Sequence, residues 1–227
     1  LQAEIVPKNM FEVKNLSEEK SIVCQILKEL RDKEIQQDRY RFRKNIERIG
    51  MIAAYEISKS LDFASTQTQT PLGSSDTTEL ADQPVIGTVL RAGIPLQHGV
   101  NQLFNQADLA YISAYRHQTT GNQFEIKVEY LASPSIENRV LILTDPMLAT
   151  GQSLVLTYEQ FLAQGNPKKV HLVSVIGSQE GVDYVKQHIP NATLWIGTID
   201  PDLDENGYIV PGLGDAGDLS FGTKTQH

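Results

Sequence analysis

The sequence is short of cysteine and has no long apolar run. Among 227 residues there is one cysteine, Cys24. A single thiol excludes an intramolecular disulfide and a cysteine-rich zinc site, and it suits a reducing compartment. No apolar stretch reaches about 18 residues, and no basic start leads into an apolar stretch with a cleavage site. We therefore expect a cytoplasmic protein that is neither secreted nor bound to a membrane.

Positive charge is also scarce. Lysine and arginine total 20 against 28 acidic residues, which gives a formal net charge of −8. Such a field repels phosphate backbones, so we expect no nucleic-acid partner, and any phosphate binding has to come from local geometry. The five histidines show no H-x-x-x-H or Cys/His spacing. The sequence therefore predicts no metal site of its own.

The remaining composition is that of an ordinary globular protein. With 40% hydrophobic and 21% charged residues, residues 1–227 are most simply one large domain. Apolar stripes predict amphipathic helices over residues 17–34, capped by Ser17, and 38–61, which form an N-terminal helical pair within residues 1–61. Residues 62–83 are rich in Ser, Thr and Gln, and a mobile loop and an edge hairpin are equally compatible with them.

From Pro84 the pattern changes to short apolar runs separated mostly by helix-length segments. This pattern is typical of strands buried on both faces of a parallel sheet flanked by helices, so we predict an α/β core over residues 84–200. One segment, Phe124–Tyr130, alternates strictly and predicts an antiparallel β-arm, either a flap or an interface strand. The predicted core strands are Val85–Leu90, Leu109–Ala114, Val140–Thr144, Val170–Ile176 and Thr193–Ile199.

The run VLILTDPMLATGQSLVLTYEQFLAQG predicts a strand, a tight loop and a helix that Ser153 caps and Gly165 ends. Such a junction directs backbone N–H groups at one point, to which Thr150 and Ser153 add hydroxyl groups. On spacing alone a plain turn and an anion site are about equally supported. Asp145, at the carboxyl end of a buried strand, favours the site. A nucleoside triphosphate loop is excluded because it needs a lysine where Gln152 stands.

A second glycine-rich stretch, Gly212–Gly217, spells G-x-G-x-x-G, as dinucleotide-binding turns do. That motif opens a helix and needs about 20 further residues to reach an acidic partner for the ribose. The sequence has only ten residues after Gly217, and we expect no helix between Asp218 and Thr225. A NAD-binding domain is therefore disfavoured.

Four motifs together are similar to one known family. DPMLATGQS resembles the phosphoribosyl pyrophosphate loop of the uracil phosphoribosyltransferases, and VLRAGIPLQHGV resembles their LRAG segment. AYRHQTTG lies where they carry a second arginine, and GYIVPGLGDAGDLSFGT is similar to their uracil-binding tail. The resemblance extends over Arg39 to Thr223, and the four motifs follow one another in the same order as in the family. It implies a type I phosphoribosyltransferase fold with a uracil-binding tail over residues 201–227.

The resemblance also implies an activity and a set of site residues. The reaction joins uracil to phosphoribosyl pyrophosphate, giving UMP and pyrophosphate, with Mg²⁺ carried by the substrate and a homodimer or larger homo-oligomer as the assembly. Asp145, Arg116 and Asp215 are the implied catalytic residues. Uracil is expected to contact Tyr208, Ile209, Gly214, Asp215 and Ala216. Phosphoribosyl pyrophosphate is expected to contact Arg91, Arg116, Asp145, Pro146, Met147, Leu148, Ala149, Thr150, Gly151, Gln152, Ser153 and Asp215.

The sequence departs from the family pattern at three places. His117–Thr120 follows Arg116 where an acidic residue is common, Gln152 replaces a common glycine, and Leu219 stands where Arg or Lys is usual. The first departure bears on pyrophosphate binding. Two alternatives remain open: a phosphoribosyltransferase for another base, and a regulatory protein that senses nucleotides or binds RNA on the same fold.

Overall fold

The computed structural model describes residues 10–118 and 124–224, with the side chains of residues 114–128 left undescribed. The elements are, in order, β1 (Glu12–Asn15), α1 (Ile22–Arg31), a 3-10 turn (Ile35–Gln37), α2 (Arg39–Ser58), β2 (Phe63–Thr70), β3 (Gly73–Leu80), β4 (Val85–Val89), α3 (Gly93–Leu103), β5 (Asp108–Gln118), β6 (Phe124–Ala132), β7 (Val140–Thr144), β8 (Met147–Leu148), α4 (Gln152–Leu162), β9 (Lys169–Ser178), α5 (Gln179–His188), β10 (Ala192–Asp200), β11 (Asp202–Leu203), β12 (Ile209–Val210) and α6 (Ala216–Phe221).

The central sheet has the strand order β1-β10-β9-β7-β4-β5-β6, and β8 pairs with β9 further along that strand. Every neighbouring pair is parallel except β5 and β6, which are antiparallel. The predicted class, a mostly parallel sheet flanked by helices with an antiparallel β-arm, is therefore confirmed. Each predicted core strand lies within an observed strand, apart from Leu90, which follows the end of β4. The exposed edge strand β1 has no apolar pattern and was not predicted.

Helices cover both faces of the sheet, as the continuous apolar strands require. On β7, Ile142 faces the layer formed by α1, α2 and α3, whereas Leu141 and Leu143 face α4 and α5. The first face buries residues such as Leu30, Phe42, Ile46, Ile49, Leu96, Val173 and Trp195. The second face buries residues such as Leu154, Phe161, Leu172, Val185, Leu194 and Ile196. These two cores hold the carboxyl ends of the strands in fixed register.

The N-terminal helical pair is present, but three of its four boundaries differ from the prediction. Helix α1 ends at Arg31 rather than at residue 34, and α2 ends at Ser58 rather than at residue 61. Helix α2 begins where predicted, because the Asp38 carboxylate accepts hydrogen bonds from the Tyr40 and Arg41 amides. Helix α1, in contrast, begins at Ile22 with Ser21 as its cap, not with Ser17. The Ser17 amide instead donates to Asn15 Oδ1 at 3.0 Å. Ser17 therefore belongs to the turn that leaves β1, which shortens the helix.

The polar segment between the helices and the core is a hairpin. Strands β2 and β3 pair in register from Phe63 with Leu80 to Thr70 with Gly73. Nearly all of its residues are exposed, and side chains add cross-strand contacts such as the Thr68 and Thr77 hydroxyls at 2.9 Å. Of the two alternatives that the sequence left open, the hairpin is the one that forms. It has no apolar face of its own, because its exposed residues are mostly Ser, Thr, Gln and Asp.

Candidate functional site

The candidate site lies at the carboxyl edge of the parallel strands. Strands β4, β7, β9 and β10 run in the same direction, so their last residues meet at one edge. Asp145 follows β7, Ser178 ends β9, and Asp200 ends β10. In open α/β sheets this edge forms the ligand crevice. Two segments converge on it: the phosphate loop, residues 145–153, and the tail turn, residues 211–217.

The phosphate loop is fixed to strand β9 by backbone contacts. The Asp145 amide donates to the Val173 carbonyl at 3.0 Å, and the Val175 and Ile176 amides both donate to the Pro146 carbonyl at 3.1 Å. Farther along, the Ser178 hydroxyl donates to the Ala149 carbonyl at 2.6 Å. Because the Pro146 and Ala149 carbonyls already accept hydrogen bonds from β9, the loop has a fixed shape before any ligand binds.

The helix after the loop begins differently from the prediction. Gly151, with φ of 77°, is the cap residue of α4, and no side chain caps the helix. The expected cap, Ser153, is instead the second residue of α4, because only glycine readily adopts the positive φ. A Cβ atom at Gly151 would also lie 2.8 Å from the Gly181 carbonyl. An 11-residue helix without a side-chain cap leaves its first amides available to an anion.

The far end of α4 also differs from the prediction. The helix stops at Leu162, three residues before Gly165. Gly165 has a φ of 130°, and a Cβ atom there would lie 2.6 Å from the Glu137 amide nitrogen. The glycine therefore permits close packing against the segment before β7 after the helix has already ended.

Asp145 is a half-buried carboxylate without a cationic partner among the residues that the structure describes. Its one hydrogen bond within that part of the chain comes from the Met147 amide, at 3.3 Å. Burial raises the pKa of Asp145 to about 6, and the Met147 hydrogen bond opposes this only in part. A carboxylate kept in such a place is available to hydroxyl groups or a cation from a ligand.

The carboxyl end of β4 contacts β7, and the segment after β4 contacts the tail. Thr88 Oγ1 donates to the Thr144 carbonyl at 3.3 Å, directly before Asp145. Arg91 points the other way: its Nη2 lies 3.1 Å from Asp218 Oδ1, and its Nη1 lies 3.4 Å from the Gly222 carbonyl. Both charged side chains are about one-third exposed, at 37% and 30%. In the ligand-free chain Arg91 therefore contacts the tail.

The tail turn is built around Gly212. This residue has a φ of 60°, and a Cβ atom there would collide with the Ile209 carbonyl oxygen. Its amide donates to Asp200 Oδ2 at 2.8 Å, and its carbonyl accepts from Arg31 Nη1 at 3.0 Å. Burial tends to raise the pKa of Asp200, but hydrogen bonds from Arg31 and Gly212 hold that pKa below its ordinary value.

A short helix follows the tail turn, contrary to the expectation of no helix after Asp218. Helix α6 spans Ala216–Phe221, and the Asp215 carboxylate caps it by accepting from the Asp218 amide at 2.9 Å. At its other end the Ser220 carbonyl accepts from Arg43 Nη1 at 2.6 Å. Sequence periodicity missed this helix because six residues are too few, and because an arginine from α2 stabilises its last turn.

The predicted site residues fall into two groups at the same sheet edge. Ser178, which holds the Ala149 carbonyl, is the register partner of Asp200, which holds the Gly212 amide. The phosphate loop and the tail turn are thus attached to neighbouring strand ends. Ile209 and Ala216 are buried, whereas Tyr208 is 49% exposed. The Arg116 side chain and the His117–Thr120 departure lie outside the residues described in full.

Sequence reasoning missed four polar residues that shape the site: Arg31, Arg43, Asp200 and Asp218. Asp200 carried a recoverable signal, since it ends an apolar strand just as Thr144 and Asp145 do. The arginines carried none, because their partners lie 169 to 181 residues away for Arg31 and 177 for Arg43. Pattern analysis of local sequence does not detect contacts over that separation.

Comparison with known proteins gives consistent matches. A sequence model of the family described as uracil phosphoribosyltransferase matches residues 17–223. The curated uracil phosphoribosyltransferase of Porphyromonas gingivalis is 49% identical over 215 residues, covering 94% of this chain and 100% of its own. That of Pyrococcus furiosus is 37% identical over 208 residues, covering 90% and 88%. A solved structure of an Aquifex aeolicus protein superposes with a TM-score of 0.83 at 25% identity, covering 94% and 100%.

Proposed function

The chain belongs to the uracil phosphoribosyltransferase family, and from this membership we propose that it transfers the 5-phosphoribosyl group of phosphoribosyl pyrophosphate to uracil. The products are UMP and pyrophosphate, so the reaction recovers a pyrimidine base as a nucleotide. The observation that carries the proposal is the match over most of the chain to relatives with this name. The common sheet edge of the phosphate loop and the tail turn supports it independently.

The phosphate loop is proposed to bind the 5′-phosphate. Amides of the Gly151–Ser153 region begin an uncapped helix, and Thr150 and Ser153 supply hydroxyl donors. Binding by neutral donors suits a chain of net charge −8, because no long-range positive field collects the phosphate. The remaining loop residues, Pro146, Met147, Leu148, Ala149 and Gln152, would line the same ligand.

Asp145 is proposed to bind the ribose hydroxyls. Its carboxylate has oxygen atoms free of other described protein donors, and desolvation makes it a strong acceptor. The carboxylates of Asp145 and Asp215 would offer oxygen ligands, which Mg²⁺ prefers, to an ion carried by phosphoribosyl pyrophosphate. Such an ion would neutralise charge on the leaving pyrophosphate.

Arg91 and Arg116 are proposed to stabilise the pyrophosphate. The bond between the anomeric carbon and the pyrophosphate oxygen breaks with positive charge on the sugar and added negative charge on the leaving group, while uracil N1 bonds to that carbon and releases its proton. Guanidinium matches the phosphate oxygens of the leaving group in a bidentate way. Arg91 is already near the site but is paired with Asp218, so it has to exchange or share this partner when pyrophosphate binds. The proposed mechanism uses no protein nucleophile, and rate enhancement comes from placement and electrostatics.

The tail turn is proposed to read the base. Uracil presents acceptor, donor and acceptor groups along its edge, and bare backbone near Gly214, Asp215 and Ala216 can answer with N–H, C=O and N–H. Ile209 offers a buried apolar contact, and Tyr208 is exposed enough to pack over the ligand. Cytosine reverses two of these polarities, so we expect a preference for uracil of roughly thirtyfold or more.

We also propose the wider setting of the enzyme. Residues 1–227 act as one domain whose residues 201–227 form the base-binding tail. The alternating Phe124–Tyr130 segment lies in β6, the edge strand of the central sheet, and supports a homodimer or larger homo-oligomer. The single cysteine supports a cytoplasmic location. Within the described ranges, no helix combines the length and apolarity needed to cross a membrane.

The test is a product assay on the purified protein. With uracil, phosphoribosyl pyrophosphate and Mg²⁺, we expect UMP and pyrophosphate in equal amounts. Hypoxanthine, orotate and cytosine serve as competing bases, and turnover of one of them in place of uracil would assign a different base. Binding of a nucleotide or RNA without turnover of any base would favour the regulatory alternative.

A further inference from the structure

We propose that Arg31 and Asp200 are positioning residues for base recognition, because together they fix both backbone groups of Gly212 in the tail turn. Neither residue belongs to the phosphate loop or to the tail turn. This inference rests on the proposed function, since it assumes that the tail turn contacts the base. It adds two residues, one from the end of α1 and one from the end of β10, that determine the shape of the base pocket.

The contacts form a closed set around one peptide. Arg31 Nη2 lies 2.5 Å from Asp200 Oδ1, and Arg31 Nη1 lies 2.8 Å from Asp200 Oδ2. The same Nη1 donates to the Gly212 carbonyl at 3.0 Å, while the Gly212 amide donates back to Asp200 Oδ2 at 2.8 Å. The guanidinium and the carboxylate therefore form a bidentate ion pair, and Gly212 is hydrogen-bonded to both members of the pair.

The ion pair is shielded from water, which makes its geometry stiff. The Asp200 side chain is 6% exposed and the Arg31 side chain 26% exposed. Charge-assisted, bidentate contacts of this kind fix direction as well as distance. A third residue fits the arrangement when the Gln36 side-chain amide is assigned with its nitrogen toward the carbonyls that face it: that nitrogen then lies 2.8 Å from the Leu213 carbonyl oxygen and 3.0 Å from that of Leu30.

The position of Gly212 controls the groups proposed to read uracil. Gly214 and Asp215 follow within three residues, and Gly214 also has a positive φ of 92°. With φ positive at both glycines, a small rotation at Gly212 changes the direction of the next N–H and C=O groups. Preorganised backbone is what distinguishes uracil from cytosine in the proposed pocket, so Arg31 and Asp200 act on specificity through the turn.

The experiment compares Arg31 with a matched arginine at the opposite edge of the sheet. Arg139 Nη1 lies 2.6 Å from Asp108 Oδ2, and its Nη2 donates to the Gln83 carbonyl at 3.1 Å. It therefore also joins a carboxylate to a loop carbonyl, but before β7 and not after it. The variants are Arg31→Ala, Arg31→Lys, Asp200→Asn and the control Arg139→Ala.

In Arg31→Ala we expect KM for uracil to rise about tenfold while KM for phosphoribosyl pyrophosphate changes less than about twofold. The ratio of uracil to cytosine turnover falls with it. Arg31→Lys keeps the charge but loses the bidentate ion pair, so its change lies between wild type and Arg31→Ala, and it replaces Arg31→Ala if the latter does not fold. Asp200→Asn shows the same pattern, whereas Arg139→Ala leaves both KM values near wild type. Equal rises in both KM values, or no rise for uracil, overturn the proposal.

Hydrogen exchange in the ligand-free protein separates this inference from the proposed function. We expect the Gly212 amide, which donates to Asp200, to exchange about tenfold faster in Arg31→Lys than in wild type, with no such change in the Arg139→Ala control. Unchanged exchange overturns the positioning role even if the enzyme uses uracil. A wild-type protein that turns over no uracil overturns the substrate assignment and the base-reading role, whatever the exchange rates show.

Discussion

Two aspartates at the same sheet edge have opposite surroundings. Asp145, after β7, accepts one described hydrogen bond and has a pKa raised to about 6 by burial. Asp200, at the end of β10, is paired with Arg31 and the Gly212 amide, and its pKa lies below the ordinary value. Among the described residues, only the Met147 amide donates to the Asp145 carboxylate, whereas Asp200 has both an arginine and a backbone amide as partners. This difference supports the proposal that Asp145 is held for a ligand, and it makes Asp200 a residue that builds the tail turn.

The largest expected effect comes from Asp145→Asn. If Asp145 binds the ribose, its loss lowers kcat/KM by about a hundredfold or more at pH 7.5. The same change stabilises the ligand-free protein by about 2–3 kcal/mol, because it removes a desolvated charge. Steady-state kinetics and denaturant unfolding of the two proteins measure both effects. An inactive variant with unchanged or reduced stability would show that burial does not destabilise the charge of Asp145.

Asp200→Asn is expected to change stability in the opposite direction. A lowered pKa means that the ionised carboxylate stabilises the fold above about pH 4 and that this stabilisation is lost as pH falls through the folded-state pKa. Removing the charge leaves Arg31 poorly paired, so we expect a loss of about 2 kcal/mol at pH 7.5, below the range for fully buried pairs because Arg31 is partly exposed. Unfolding at pH 7.5 and pH 3 checks it: the difference between variant and wild type should shrink at the lower pH.

A third group, the buried side chain of His171, makes the difference between the two aspartates measurable as a pH dependence of stability. His171 is fully buried, accepts from Trp195 Nε1 at 3.1 Å, and has a pKa lowered to about 4 by burial and then by the charge of Lys169. Between pH 6.5 and 4 the unfolded chain binds this proton more readily, so acidification destabilises the fold by about 3 kcal/mol. Asp145 acts oppositely, since the folded state takes up its proton between pH 6 and 4.

The contributions of His171 and Asp145 to the free energy of unfolding nearly cancel in the wild type, and only the His171 contribution remains in Asp145→Asn. We therefore expect the free energy of unfolding of Asp145→Asn to fall by about 3 kcal/mol from pH 6.5 to pH 4, with a much smaller change for the wild type from these two groups. Guanidinium unfolding across this range, without ligands, measures it. Parallel curves for the two proteins would show that Asp145 titrates at its ordinary pKa.

The smallest effects are expected from two glycines, one in each half of the site. Gly151→Ala strains the phosphate loop at φ 77° and crowds the Gly181 carbonyl, so KM for phosphoribosyl pyrophosphate should rise. Gly212→Ala strains the tail turn, so KM for uracil should rise. We expect each variant to raise KM about fivefold to tenfold for the substrate that its half of the site is proposed to bind. If each alanine variant instead raised KM for the other substrate, the two halves of the site would not act independently.

The sheet and most of its helices were predictable because their determinants are local. Runs such as Val140–Thr144 are apolar on both faces, and Asp38 caps α2 through amides two and three residues away. The strand, loop and helix around residues 145–153 were predicted for the same reason, since they are continuous in sequence. Both ends of the helix were wrong: a positive φ at Gly151 decides its start where the side-chain rule favoured Ser153, and it ends at Leu162, before Gly165.

The tail was only partly predictable because distant residues determine its structure. Its glycines were noted as a motif, but helix α6 was missed, since Asp215 and Arg43 stabilise it rather than an apolar stripe. The hairpin stayed undecided because its Ser, Thr and Gln content fits a loop equally well. Edge strand β1 gave no periodic signal, as its four residues are mostly exposed.

The order of translation separates the two halves of the site. The phosphate loop contacts β9 and α5, and α5 ends at His188. Gly212 lies 24 residues after His188, which at ordinary ribosomal speed is a delay of roughly 1–5 s. During that interval a nascent chain has the loop proposed to bind phosphate but not the turn proposed to read the base.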